Sequence, residues 1–236
     1  MDPSDPLVKF KLALLDAVAP MSSAIVFGDT YRVDGLYTVA TLERGSKRSL
    51  LVDSLETPRW QEHRLANPQL DFVKGDFGDP FLMGSIREQF DVGVVFDILL
   101  HQPPLLHTLN LMLSKVERAV CIAQPCLDEG DRENLLVYLP GSNDHDLYPL
   151  KTDSVEYRVF DVNEVNQSHW IWAMTPSFIR RALLGEGFEI TDERTLDHPD
   201  LTERWSWKGF VAERVRANPA HWSHQRPTSG LYTTPW

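Results

Sequence analysis

The chain has 236 residues, 42% of them hydrophobic and 24% charged, a balance that suits one α/β unit large enough to bury a sizeable core. Its formal net charge of −11, with no basic run to offset it, argues against nucleic acid as a partner. No apolar stretch approaches the ~18–20 residues of a membrane span. The acidic start Met1-Asp2-Pro3-Ser4-Asp5-Pro6 lacks the apolar run of a secretory signal, and Cys121 and Cys126 make neither a disulfide framework nor a zinc pattern, so a cytoplasmic protein is expected.

Residues 7–19 place Leu7, Phe10, Leu14, Leu15 and Val18 at helical spacing, and Pro20 ends that helix. Ala24-Ile25-Val26-Phe27 reads as a short buried strand with Gly28-Asp29-Thr30 as its turn. A helix over 35–44 follows, with Leu36, Val39, Ala40 and Leu42 on its apolar side and Gly45 after it. Then come a strand at 49–53, a short helix at 58–66, a strand at 70–74 and a helix from Pro80 to Gln89 with proline in its first turn. The run Phe90–Phe96 is a fourth strand. It stops at Asp97, and His101 and Gln102 follow within five residues. A helix from Pro104 to about Ser114 precedes a fifth strand over 118–123. Alternation of this kind implies parallel strands with helical crossovers on both faces.

Beyond 123 the pattern changes. Residues 126–170 are polar and irregular, with Pro140, Pro149 and the cluster Ser142-Asn143-Asp144-His145-Asp146, and a loop so long suits a lid or binding loop. Thr175-Pro176 opens a helix that runs through Leu184, with Thr175 as N-cap, and Gly185-Glu186-Gly187 ends it. Residues 188–195 and 207–214 form a final antiparallel pair. The expected organisation is a single domain over 1–216, with 126–174 as an acceptor-side insertion and 217–236 as a C-terminal tail.

Three strands thus end near an acid on one edge: Asp53 on the second, Gly75-Asp76-Phe77 on the third and Asp97 on the fourth. Open α/β sheets bind ligands at that edge. In order and spacing these segments, with the Thr-Pro helix ending in Gly-Phe, resemble a class I S-adenosylmethionine-dependent methyltransferase over residues 20–214. The resemblance implies a Rossmann-like sheet, mostly parallel with a final antiparallel hairpin and helices on both faces. It implies that Asp53, with Ser54 beside it, binds the ribose hydroxyls, that Gly75, Asp76 and Phe77 lie around the adenine, and that Asp97 faces methionine and acceptor. The family's first strand runs into a glycine-rich turn. Here Gly28 and Gly35 bracket bulky residues, and Asp29 is the candidate for the methionine amine.

The residue types suit the ligand independently. A carboxylate accepts from two vicinal hydroxyls, an adenine buries against aromatic faces, and a positive sulfonium suits a crevice of acids. More narrowly, residues 161–172 resemble actinobacterial sugar O-methyltransferases of the methylmannose polysaccharide type, and seven tryptophans agree with a carbohydrate acceptor. Trp170, Trp172, Trp222 and Trp236 are the candidates to face ligand.

Methyl transfer to a hydroxyl needs alignment and a base, for which histidine is suited near neutral pH. His101, His145 and His169 compete for that role. Asp97, Asp144, Asp146 and Glu164 could supply oxygen ligands to a magnesium ion that orients sugar hydroxyls. The leading expectation is an O-methyltransferase for a small polar acceptor, with a carbohydrate favoured. The alternative is a catalytically silent methyltransferase-like scaffold, which the sparse glycine turn favours. A nicotinamide dehydrogenase would need a GxGxxG turn, which is absent. A homodimer is compatible with the aromatic tail.

Overall fold

The computed structural model describes residues 4–128, 130, 133–138 and 172–216. Helix α1 (Pro6–Ala17) leads into β1 (Ala24–Phe27), α2 (Leu36–Glu43), β2 (Ser49–Asp53), α3 (Pro58–Ala66), β3 (Leu70–Lys74), α4 (Pro80–Ser85) and β4 (Phe90–Phe96). A 3-10 turn (Leu99–His101) and α5 (Leu105–Leu113) connect to β5 (Val116–Leu127). Then follow β6 (Leu136–Tyr138), β7 (Trp172–Met174), α6 (Pro176–Gly185), β8 (Phe188–Leu196) and β9 (Trp205–Arg214).

One sheet has the order β3-β2-β1-β4-β5-β9-β8. Its first five strands are parallel, and β9 runs antiparallel between β5 and β8. Successive side chains of a strand face opposite ways, and the sheet buries both sets. Ile25, Phe27, Leu50, Val52 and Val95 join Met83 of α4, Leu109 and Met112 of α5 and Ile179 and Leu183 of α6. Val26, Leu51, Val92, Val94 and Phe96 join Leu14 and Leu15 of α1, Tyr37 of α2 and Trp60 of α3. The expected sheet with helices on both faces is therefore present.

Helix starts follow their caps. The Asp5, Thr57 and Asp79 side chains accept from Leu7, Trp60 and Phe81 N–H, each just before a proline at the first helical position. Thr175 sits at the N-cap of α6 as expected, yet its hydroxyl leaves the helix and accepts from Leu135 N–H at 2.9 Å. That contact fixes the β6 segment to α6.

Three expectations need correction. Helix α4 stops at Ser85 rather than Gln89, because Ile86 turns extended and its carbonyl accepts from Lys115 Nζ. Strand β5 runs from Val116 to Leu127 rather than 118–123, since β9 pairs with it from Ala119 to Leu127, Pro125 opposite Trp207 included. The stretch 126–170 is not wholly irregular, as Leu136–Tyr138 pairs antiparallel with Trp172–Met174. Among the described residues, no helix is long and apolar enough to cross a membrane.

Candidate cofactor cleft at the sheet edge

Because β1 to β4 are parallel and in register, their C-terminal ends bring Gly28-Asp29-Thr30, Asp53, Gly75-Asp76-Phe77 and Asp97 to one edge. Asp53 is buried. Its Oδ2 accepts from both the N–H (2.9 Å) and the hydroxyl (2.7 Å) of Thr30, and its Oδ1 accepts from Leu55 N–H at 3.0 Å. A carboxylate offers about four acceptor positions, so Asp53 retains acceptor capacity beside the turn it holds. Ser54 is exposed next to it.

Gly75 N–H donates to Asp53 O at 2.9 Å, which joins the ends of β2 and β3. The exposed Asp76 turns back on its own loop, accepting from Gly78 N–H at 2.7 Å. Phe77 points into the core and packs edge-on against Phe27 at 6.0 Å. Its ring is therefore a wall of the interior more than an open adenine platform.

The opposite end of the edge is a buried polar cluster. Asp29 Oδ2 accepts from the N–H (2.6 Å) and hydroxyl (2.7 Å) of Thr38 and so ties β1 to α2. Its Oδ1 is buried with no hydrogen-bond partner. Burial pushes the Asp29 carboxyl up to about 7, against the lowering pull of Thr38 and the Lys11 ammonium. Beside it lie Tyr37, whose phenol burial and the Asp97 and Asp29 charges push upward, and the ion pair of Lys11 Nζ with Asp97 Oδ2. Asp97 adopts the left-handed conformation, φ 61°.

The raised Asp29 carboxyl makes the folded chain bind more protons than the unfolded chain between pH 4 and pH 7, so its effect on stability worsens as pH rises through that window and is complete above it. Asp29→Asn is expected to melt at least a few degrees closer to its pH 5 value when taken to pH 8 than the native chain does. The ceiling is about 3 kcal/mol, from the roughly two pH decades between pH 5 and the carboxyl's midpoint of about 7, and any cost of the amide itself is the same at both pH values and cancels. Thermal melts of both chains across pH 5–8 check this, and parallel curves would sink it.

His101 closes the 3-10 turn after β4 and is half-buried, four residues beyond Asp97. His145 and His169 lie outside the described residues, as do Asp144, Asp146, Glu164, Trp170, Trp222 and Trp236. Trp172 is described. Its Nε1 donates to Gln102 O at 2.8 Å and its ring meets Tyr138 edge-on at 5.4 Å, so it closes β7 onto the segment after β4. Among the described residues no group of three or more His, Cys, Asp or Glu is placed to hold a metal ion. The expected magnesium ligand Asp97 faces an ammonium instead, a neighbour that opposes a second cation.

Three residues here escaped sequence reading. Lys11 carried a signal, since it lies on the buried side of α1 with Val8, Leu14 and Leu15. Thr30 carried none beyond its place in a turn. Ile98 is apolar and follows the strand, but its position is long-range: a Cβ on Gly28 would lie 2.6 Å from Ile98 Cδ1. The first glycine of the turn is thus approached by a side chain of the protein.

The fold is similar to those of solved methyltransferases. The 1,6-didemethyltoxoflavin N1-methyltransferase of Burkholderia thailandensis, with bound 1,6-didemethyltoxoflavin and S-adenosylhomocysteine, is 16% identical over 90% of this chain and 80% of its own, with a TM-score of 0.60. The chain has a class I methyltransferase fold. The N-terminal domain of EvdMO1, in the presence of S-adenosylhomocysteine and D-fucose, gives 14% identity, coverage of 92% and 85%, and a TM-score of 0.58. Magnesium protoporphyrin IX methyltransferase of Synechocystis PCC 6803, with S-adenosylhomocysteine, gives 13%, 88% and 82%, and 0.53. No family model matches the sequence, and no curated protein matches it. At these identities the methyltransferase fold is what is shared.

Proposed function

We propose that the chain is an S-adenosylmethionine-dependent O-methyltransferase acting on a hydroxyl of a small polar acceptor of the sugar class. The observation that carries this reading is the set of carboxylates Asp29, Asp53 and Asp97 at the ends of the adjacent strands β1, β2 and β4. Asp53 keeps acceptor capacity for ribose hydroxyls, and the orphaned Oδ1 of Asp29 is the acceptor a methionine ammonium would satisfy. These residues fit the cofactor, which when bound supplies an electrophilic methyl group on a sulfonium.

The chain's own tasks are then to hold the nucleoside at Asp53, the amine at Asp29 and the acceptor hydroxyl near Asp97. His101, His145 and His169 are the candidates to take the acceptor's proton. The sugar class draws support from the similar EvdMO1 domain, whose structure was determined in the presence of D-fucose. The narrower methylmannose likeness rests on residues 161–172, of which Trp172 alone is described, and it is not carried further. Magnesium is left out of this reading because Asp97 has Lys11 as its counter-ion. Residues 1–216 would carry the activity, with 126–174 on the acceptor side.

A second reading is favoured by Thr30 on Asp53 and Ile98 over Gly28: a methyltransferase-like scaffold that binds no cofactor. Calorimetric titration of S-adenosylmethionine and S-adenosylhomocysteine into the full chain separates the two. Micromolar binding is expected, followed by methyl transfer to hexoses or deoxyhexoses in a labelled-methyl assay. No heat from a folded sample would favour the scaffold.

A further inference from the structure

Lysine is almost never fully buried unless it is paired, and a buried ion pair is often no more stabilising than apolar side chains of the same volume. Lys11 is 3% exposed, midway along a helix already anchored by Val8, Leu14 and Leu15. Stability alone gives little reason for its charge. Its ammonium meets Asp97 Oδ2 and lies 4.8 Å from the Trp207 ring centre and 5.5 Å from that of Tyr37. The aromatic sleeve attracts the cation and leaves it few directions to move.

The pair is one-sided. The Lys11 side chain is 4% exposed, whereas that of Asp97 is 34% exposed at the sheet edge. Asp97 also holds a left-handed backbone, φ 61°, that a non-glycine residue adopts at a cost. A strained, partly open side chain whose carboxylate has a buried Oδ1 and an Oδ2 on a closed-off cation is an arrangement for fixing a charge at the end of β4. Among the described residues, the ionisable groups nearby include Lys11 and the cap Asp5 on α1, Asp29 after β1, Tyr37 on α2 and His101 after β4, while β9 contributes the uncharged Trp207.

We infer that Lys11 is a positioning residue for the cofactor and acceptor end of the cleft: it keeps the Asp97 carboxylate ionised and fixes it at the end of β4. The inference rests on the methyltransferase reading above. It places part of the site on α1, ahead of the sheet in sequence. Loss of the ammonium removes the attraction of the Lys11–Asp97 pair, and the ionisation of Asp97 shifts to higher pH.

The test uses the full chain with Lys11→Met, which keeps length in the aromatic sleeve, and Lys11→Arg, which keeps charge. Melting temperatures confirm that each variant folds. Carbon NMR of the side-chain carboxyls then follows Asp97 from pH 4 to 8, and calorimetry measures S-adenosylhomocysteine affinity at pH 6 and pH 8. Lys11→Met is expected to raise the Asp97 midpoint by at least about one pH unit. It should also weaken binding at least about tenfold at pH 6 and less at pH 8, with Lys11→Arg between it and the native chain. An unmoved Asp97 midpoint, or equal loss at both pH values, would overturn the inference. If the native chain binds no S-adenosylhomocysteine, the methyltransferase reading fails, and the Asp97 titration alone then decides whether Lys11 governs that carboxylate.

Discussion

Asp53→Ala lowers the affinity for S-adenosylhomocysteine by at least about a hundredfold if Asp53 holds the ribose. Each hydrogen bond to a charged group contributes about 1.5–3 kcal/mol, and two ribose hydroxyls give about 3–6, while 1.4 is a factor of ten. The substitution also strips the acceptor from Thr30 N–H, Thr30 hydroxyl and Leu55 N–H, so the β1–α2 and β2–α3 turns lose a shared anchor. Buried donors left unmade cost about 1–3 kcal/mol each, so melting temperature must be measured alongside. Asp53→Asn separates the effects. It keeps one acceptor oxygen for the turn and is expected to lose less melting temperature than Asp53→Ala while still losing about tenfold in affinity. An Asp53→Ala chain that folds and binds as the native one does would remove ribose recognition from this residue, and with it the main support for the cofactor site.

The strands that carry the acids were legible because each is a short apolar run closed by a carboxylate or glycine. The expected 49–53, 70–74 and 90–96 coincide with β2, β3 and β4, and 58–66 coincides with α3, whose Thr57-Pro58 start is a local signal. Local patterns could not place what depends on distant partners. Pro125 reads as a strand breaker, yet β5 continues through it because β9 pairs along the whole length. Lys11 and Asp97 are 86 residues apart, and Thr30 and Asp53 are 23 apart. Neither pair has a periodicity that joins it. The sparse glycine turn is the sharpest case. The sequence suggested a weakened cofactor loop, whereas the structure shows both of its glycines filled against by the protein, Gly28 by Ile98 and Gly35 by Trp60.

Gly35→Ala is expected to destabilise the fold by about 2–5 kcal/mol, a large share of the roughly 5–15 kcal/mol by which domains are stable. Gly35 is the N-cap of α2 with φ 83° and ψ 17°, a conformation that costs an L side chain about 1–2 kcal/mol. A Cβ there would lie 2.2 Å from Trp60 Cε3 and 2.6 Å from Cζ3. Trp60 cannot easily yield, since it is fully buried, with Phe72 edge-on at 6.2 Å. Overpacking of that kind adds about 1–3 kcal/mol. Gly45 is the matching control, with φ 93° and no atom nearer than 3.7 Å to an added Cβ, so Gly45→Ala should show the backbone effect alone, about 1–2 kcal/mol. Urea unfolding of both variants, and of Gly35→Ala combined with Trp60→Leu, measures the difference. Replacing the Trp60 indole with the smaller leucine side chain should recover at least about 1 kcal/mol of coupling between positions 35 and 60. Equal losses at Gly35 and Gly45 would mean that the Trp60 ring gives way. The turn carrying Asp29 and Thr30 would then be adjustable, and Thr30 could leave Asp53 at little expense when a ribose arrives. A large, Trp60-dependent loss means the far end of the turn is clamped, so any cofactor must be accommodated by movement of Ile98 at the Gly28 end.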